Sequence, residues 1–196
     1  MKYVITIGRE YGSGGRYIAQ LLAERLGINC YDSELLSKIA EKSGFAEGFI
    51  EQYDEKKENF FNSGINPITA DLSLGSKVYL AQFEAIKAIA DTESCVIVGR
   101  SADYILKDYE NVLSVFVAAP FEEQVHRCIK YYNLDPKKAE KTIKKINKQR
   151  KAYYEYYTDK EWGHSESYDL CINSKIGINA CVDVLEAAIK SKFKLK

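Results

Sequence analysis

Gly12-Ser13-Gly14-Gly15-Arg16 is the stretch of this chain whose residue types and spacing best suit chemistry. Glycines let successive backbone N–H groups turn inward, and a helix starting there adds partial positive charge. Together they make a cradle for phosphate. Arg9 precedes the loop and Arg16 closes it. A guanidinium binds phosphate oxygens in pairs, so either arginine suits a bound phosphate. The side chains depart from the phosphate-loop pattern G-x-x-x-x-G-K-[ST]. Its first glycine falls on Arg9, its lysine on Gly15 and its magnesium-holding hydroxyl on Arg16. Arg16 is the expected substitute for the lysine, with Arg9 as its competitor. No residue replaces the magnesium ligand.

Three further places carry charge where charge needs a reason. Arg100 follows the apolar run Cys95-Val96-Ile97-Val98 and Gly99, which puts it at the carboxyl end of a buried strand. Ligands of α/β proteins bind at that end, and Gly99 removes bulk there. The segment Arg127 to Lys151 holds ten basic residues against the acids Asp135 and Glu140. At helical spacing Ala139, Ile143, Ile146, Tyr154 and Tyr157 form one stripe, with Arg150 in its middle. Lys137, Lys138, Lys141, Lys144, Lys145, Lys148 and Lys151 fall on the other side and read as a solvated face. A charge inside an apolar stripe needs a partner, which singles out Arg150. Asp32-Ser33 reads equally well as a plain helix cap. The cluster Tyr153-Tyr154-Glu155-Tyr156-Tyr157 reads as packing, and the isolated His126 and His164 receive no role.

The elements that must position these residues alternate. Tyr3 to Ile7, Cys95 to Val98, Val112 to Val117 and Asp169 to Ile172 are apolar runs of strand length, and Asn29 to Tyr31 is a shorter one. Ile18, Leu21, Leu22 and Leu26 recur at helical spacing, with Gly27 placed to end that helix. Phe45 to Asp91 is expected to be mainly helical, broken at Asn62 to Pro67, and Pro120 is expected at a helix start. Strands that read as continuous apolar runs and alternate with helices imply an α/β domain with a parallel sheet. Of the 196 residues, 46% are hydrophobic and 29% charged, an ordinary globular composition that excludes disorder. Lys+Arg and Asp+Glu both number 28, so net charge suggests neither nucleic acid nor membrane as partner. No apolar run approaches the ~18 residues of a membrane span, and MKYVITIG does not read as a signal peptide. Five cysteines, none in a C-x-x-C pair, argue against a disulfide framework or structural zinc. The expected setting is the cytoplasm.

The run Ile5-Thr6-Ile7-Gly8-Arg9-Glu10-Tyr11-Gly12-Ser13-Gly14-Gly15-Arg16 resembles the opening of cytidylate kinase-like proteins, a divergent branch of the nucleoside monophosphate kinases. Tyr31-Asp32-Ser33 is similar to the Asp-Ser/Thr after their first helix. Val98-Gly99-Arg100-Ser101-Ala102-Asp103 resembles their Gly-Arg-Asp segment with the acid displaced by two residues. Val115 to Pro120 looks like the strand and helix start before their lid, and Tyr168-Asp169-Leu170 like their final strand. The matches are in order and cover nearly the whole chain. The resemblance implies an α/β P-loop kinase fold, a parallel five-stranded sheet flanked by helices within one domain. A monophosphate-binding insertion at about 33–92 and a helical lid at about 127–165 would belong to it.

It also implies an ATP-dependent phosphotransferase that moves the γ-phosphoryl of ATP to CMP or dCMP, with ATP and Mg2+ as cofactors. Gly12, Ser13, Gly14, Gly15 and Arg16 would then hold the nucleotide phosphates. Arg16, Arg127 and Arg150 would be catalytic, the family's earlier arginine before Arg127 appearing here as Gln124. Asp32, Ser33, Arg100 and Asp103 would bind the acceptor, Arg100 at its phosphate or base and Asp103 at the cytosine amino edge. Three alternatives stay open. One is a regulatory nucleotide-binding protein that kept the cradle and lost catalysis, and another a P-loop kinase of a different small acceptor. The weakest is nucleic-acid binding through the lysine face.

Overall fold

Residues Val4–Arg9, which take in most of the first apolar run and continue through Gly8 and Arg9, form the central strand of a parallel sheet. The computed structural model describes residues 2–42 and 68–195. In chain order the main elements are β1 (Val4–Arg9), α1 (Gly15–Leu26), β2 (Asn29–Tyr31), α2 (Ser33–Lys42), α3 (Ile68–Thr92), β3 (Cys95–Val98) and α4 (Ala102–Ile105). They continue with β4 (Val112–Ala118), α5 (Phe121–Tyr132), α6 (Pro136–Tyr157), β5 (Leu170–Asn173) and α7 (Ile178–Phe193). The expected break at Asn62 to Pro67, and the helix expected before it, lie outside the described residues. Among the described residues no helix is long and apolar enough to cross a membrane.

The chain divides into two compact units, Met1–Asp32 with Glu93–Lys196, and Ser33–Thr92. The first holds the sheet, in the order β2-β3-β1-β4-β5, with every neighbouring pair parallel. Parallel neighbours require crossovers, which the intervening helices supply. Ile5, Ile7, Val96, Val98, Val115 and Val117 face one side, where Ile18 and Leu22 of α1 and Val182, Leu185 and Ile189 of α7 bury them. Burial on both faces is why these strands are uninterrupted apolar runs. In the second unit α2 and α3 pack through Ile39, Ala81 and Ala85, and Gln82 Nε2 donates to Ser37 Oγ at 3.2 Å.

Two features of the first unit position the site. All five carboxyl ends lie at one edge, and β1 pairs with β3 in the register Ile7↔Val98. Arg9 and Gly99-Arg100 therefore leave the sheet side by side. Beyond β4, α5 leads to α6 through Asn133, in the left-handed conformation at φ 54°. Asp135 then caps α6, accepting from Lys137 N at 3.0 Å, with Pro136 in the first turn. On α6 Ala139, Ile143 and Tyr154 are buried, while all seven lysines of the opposite face are exposed.

Candidate active site

The loop between β1 and α1 is bound together from behind. Gly14 is the N-cap residue of α1, left-handed at φ 80° and ψ 1°, with no side-chain cap on the helix. Ser13 is buried; its Oγ donates to Glu10 O at 2.8 Å and accepts from Gly15 N at 3.3 Å. The carbonyl side of the loop is held by Arg127, whose Nη1 donates to Ser13 O (3.1 Å) and Ser174 Oγ (2.8 Å). Ser174 Oγ in turn donates to Ser13 O at 2.7 Å. With its carbonyls anchored this way and Gly15 N bonded to Ser13 Oγ, the loop leaves the next N–H groups of the first turn of α1 as the natural seat of an anion.

A second set of bonds ties the loop to α5 and α6. Glu10 Oε2 accepts from Ala119 N at 2.9 Å and from Gln124 Nε2 at 2.8 Å. Gln124 Oε1 accepts from Asn147 Nδ2 (3.1 Å), and Asn147 Oδ1 accepts from Tyr11 N (2.7 Å). Burial raises the Glu10 carboxyl above its usual range, and the Ala119 N–H partly opposes that rise.

Arginines converge on the other side. Arg150 Nη1 donates to Arg9 O at 3.0 Å, and its guanidinium lies over the Tyr11 ring at 5.4 Å. Arg100 lies 5.7 Å over the ring of Tyr153. It belongs to three successive left-handed residues, Gly99 (φ 78°), Arg100 (57°) and Ser101 (52°). Two of these are not glycine, a strained arrangement that costs ~1–2 kcal/mol per residue and gathers at functional sites. Burial first, then the charges of Arg150 and Arg100, push the Arg9 guanidinium down to about 9, with Asp32 opposing. Several guanidinium groups crowded at the carboxyl edge of a parallel sheet make a strongly anion-seeking place.

The family model of the cytidylate kinase-like family matches residues 4–176. The chain belongs to that family. No curated protein matches the chain. Among solved structures it is similar to an uncharacterised protein from Eubacterium ventriosum, at 31% identity and TM-score 0.76, over 97% of this chain and 99% of that one. It is also similar to the shikimate kinase of Acinetobacter baumannii (17% identity, TM-score 0.55, 100% of this chain and 97% of that one). Shikimate kinase from Bacteroides thetaiotaomicron stands at 13% identity and TM-score 0.52, over 96% and 98%. The likeness to the shikimate kinases shows the fold alone. The family is cytidylate kinase-like and the fold is that of P-loop kinases.

The residues that the resemblance assigns to the site of this cytidylate kinase-like chain have these partners in the structure. Arg127, expected among the catalytic arginines, donates to the loop carbonyls of Gly12 and Ser13 and to Ser174. Asp103, expected at a cytosine edge, is buried, and its Oδ2 accepts from Tyr154 OH at 2.6 Å. Burial raises the Asp103 carboxyl, against the lowering effect of that bond. Tyr154 itself packs with Tyr168 and Phe116 in an aromatic cluster. Arg16 pairs with Asp32 at 2.6 Å, and its side chain is 58% exposed. Ser33 opens α2 in the other unit, its carbonyl accepting from Ser37 Oγ at 2.9 Å. Gly12, Ser13, Gly14 and Gly15 are all buried in the loop.

Glu10, Gln124, Asn147 and Ser174 were missed by sequence reasoning. Asn147 carried a readable signal, because it lies four residues after Ile143 on the apolar stripe. It is a polar residue in the place that made Arg150 notable. Nothing in spacing marked Ser174.

Proposed function

We propose that this protein is an ATP-dependent phosphotransferase that moves the γ-phosphoryl of ATP to CMP or dCMP. The observation that carries the reading is the crowding of Arg9, Arg100 and Arg150 beside a glycine loop that opens a helix. Phosphoryl transfer asks little covalent chemistry of a protein; it asks for positioning and for charge opposite the phosphoryl oxygens. In this reading the N–H groups at the start of α1 hold the nucleotide phosphates. Guanidinium groups stabilise the charge on the transferred group, and α5 with α6 serves as the lid that excludes water. The choice of CMP or dCMP is supported by the family and by Arg100 at the end of β3. Magnesium is the usual companion of ATP in such kinases. The residue at the place of its loop hydroxyl is Arg16, which offers donors only. Among the described residues no cluster of three or more His, Cys, Asp or Glu could hold a metal ion. No step here depends on a protein ligand to magnesium.

The test is ADP release from ATP and magnesium across a panel of nucleoside monophosphates and small hydroxyl acceptors. CMP or dCMP should give the highest kcat/KM. Turnover confined to a hydroxyl acceptor would replace the substrate, and ATP binding without any turnover would favour the regulatory reading. The loop itself is tested by Gly14→Val. A Cβ at Gly14 would stand 2.7 Å from Ile178 Cδ1, on a backbone at φ 80°. A left-handed β-branched residue costs at least ~1–2 kcal/mol, so ATP affinity should fall roughly tenfold or more in a protein that keeps its helical circular dichroism. Unchanged affinity would remove the loop from the site.

A further inference from the structure

The phosphate-loop pattern places glycine first and lysine seventh. In this chain the first position is Arg9 and the seventh is Gly15, so the small and the cationic residue stand exchanged. The two positions face each other. A Cβ on Gly15 would lie 2.7 Å from Arg9 Cβ and 3.2 Å from Val117 Cβ. Gly15 is not among the positive-φ residues, so its backbone would suit any amino acid. The Arg9 stem is the closest obstacle to a side chain there, and Val117 Cβ is the next.

The head of the same side chain lies over a second glycine, Gly99, whose left-handed backbone (φ 78°) already favours glycine. A Cβ on Gly99 would fall within the Arg9 guanidinium, 3.0 Å from Cζ. Arg9 thus runs from Gly15, which makes room for its stem, to Gly99, which its head overlies. Among the described residues its guanidinium has no hydrogen-bond partner and no ion pair. Arg150, bonded to the Arg9 carbonyl, and Arg100, next to Gly99, add positive charge around it, which the Asp32 carboxylate only partly opposes. A cation held this closely by space, among other cations, is arranged for an oxyanion.

We infer that the loop's phosphoryl-binding cation has crossed from helix to strand: Arg9, rather than Arg16, contacts the transferring phosphoryl group in the place of the lysine, and Gly15 is a glycine because the Arg9 stem fills its space. The inference deepens the phosphotransferase reading and rests on it. Arg16 does not fill the role because it is exposed and paired with Asp32.

The exchange can be reversed. Arg9→Gly should lower kcat by roughly 100-fold or more, the effect of losing a preorganised donor to the transition state. Gly15→Lys alone should be no better, since its Cβ collides with the Arg9 stem. The double substitution Arg9→Gly with Gly15→Lys restores the standard arrangement and should recover at least roughly tenfold over Arg9→Gly. Arg9→Gln keeps the stem and removes only the charge, and it should match the loss of Arg9→Gly; it carries the test should that variant fail to fold. Near-wild-type kcat in Arg9→Gln or Arg9→Gly overturns the inference, as does a folded double variant no better than Arg9→Gly.

Binding of the slowly hydrolysed analogue ATPγS, measured by calorimetry, separates this inference from the reading beneath it. Should the wild-type protein release no ADP with any acceptor, phosphoryl transfer fails as the function. Affinity for ATPγS then decides for Arg9: at least roughly tenfold weaker in Arg9→Gln supports it as the phosphate ligand, and equal affinity overturns it.

Discussion

Arg150→Ala is expected to lower kcat by at least roughly tenfold, with a smaller change in ATP affinity. Arg150 is half-buried on α6, and burial is the largest influence on its guanidinium, pushing it down from its ordinary value. Its Nη1 donates to the carbonyl of Arg9, the last residue of β1, so it stands where the glycine loop leaves the sheet. In the proposed reaction a desolvated charge there would act on phosphoryl oxygens at low effective dielectric. The lysines of the same helix cannot, because water and salt screen them. Lys144 and Lys151 are further occupied by the surface acids Glu140 and Glu155, at 3.6 and 3.5 Å. Replacing Lys141, Lys144 and Lys148 together by Gln should therefore leave kcat within about twofold, an effect below ~0.5 kcal/mol. All four residues share one helix, so loss of its fold would affect both proteins alike. A lysine triple variant that loses activity or polynucleotide binding while Arg150→Ala does not would reverse the assignment.

Gln124→Leu is expected to cost about 3 kcal/mol of stability at pH 7. Gln124 is 3% exposed and joins the loop to two helices, donating to Glu10 Oε2 and to Ala119 O (both 2.8 Å) and accepting from Asn147. Leucine would leave the half-buried Glu10 carboxylate with the Ala119 N–H alone, and would leave Asn147 without its acceptor. Hydrogen bonds to charged groups contribute ~1.5–3 kcal/mol, and stranded buried partners add to the loss. Equilibrium urea unfolding reads it as a lower midpoint at unchanged slope.

The pH dependence follows from Glu10. Its native pKa is raised, so its contribution to stability is complete below the unfolded value of about 4.3 and is lost as pH rises through the native value. Taking away a donor to the charged form raises the native value further. The deficit of the variant should therefore be largest at neutral pH and shrink towards pH 4. A deficit equal at pH 4 and pH 7 would show that Glu10 does not depend on Gln124.

Much of this architecture was legible because strands buried on both faces must be apolar throughout. The runs Tyr3 to Ile7, Cys95 to Val98 and Val112 to Val117 announced a parallel sheet. Helical periodicity was equally direct on α6, where it separated Arg150 from seven lysines that all proved exposed. The glycine loop was visible as well, because its residue types have few other uses between a strand and a helix.

Arg127 and Asp103 show where such reading stops. Spacing puts a residue on a face of its own element, and that follows from local backbone geometry alone. Which atom the side chain meets depends on elements far apart in the chain. Arg127 meets Ser13 and Ser174, 114 and 47 residues away, and Asp103 meets Tyr154 at a separation of 51. The same holds for the choice between Arg9 and Arg16. Both are arginines beside a glycine loop, and composition cannot rank them. The sequence by itself determined the sheet, the loop and the faces of α6. Only the tertiary structure decided which arginine lies over Gly15 and Gly99, because that depends on the register of β1 against β3 and on the space two glycines leave between them.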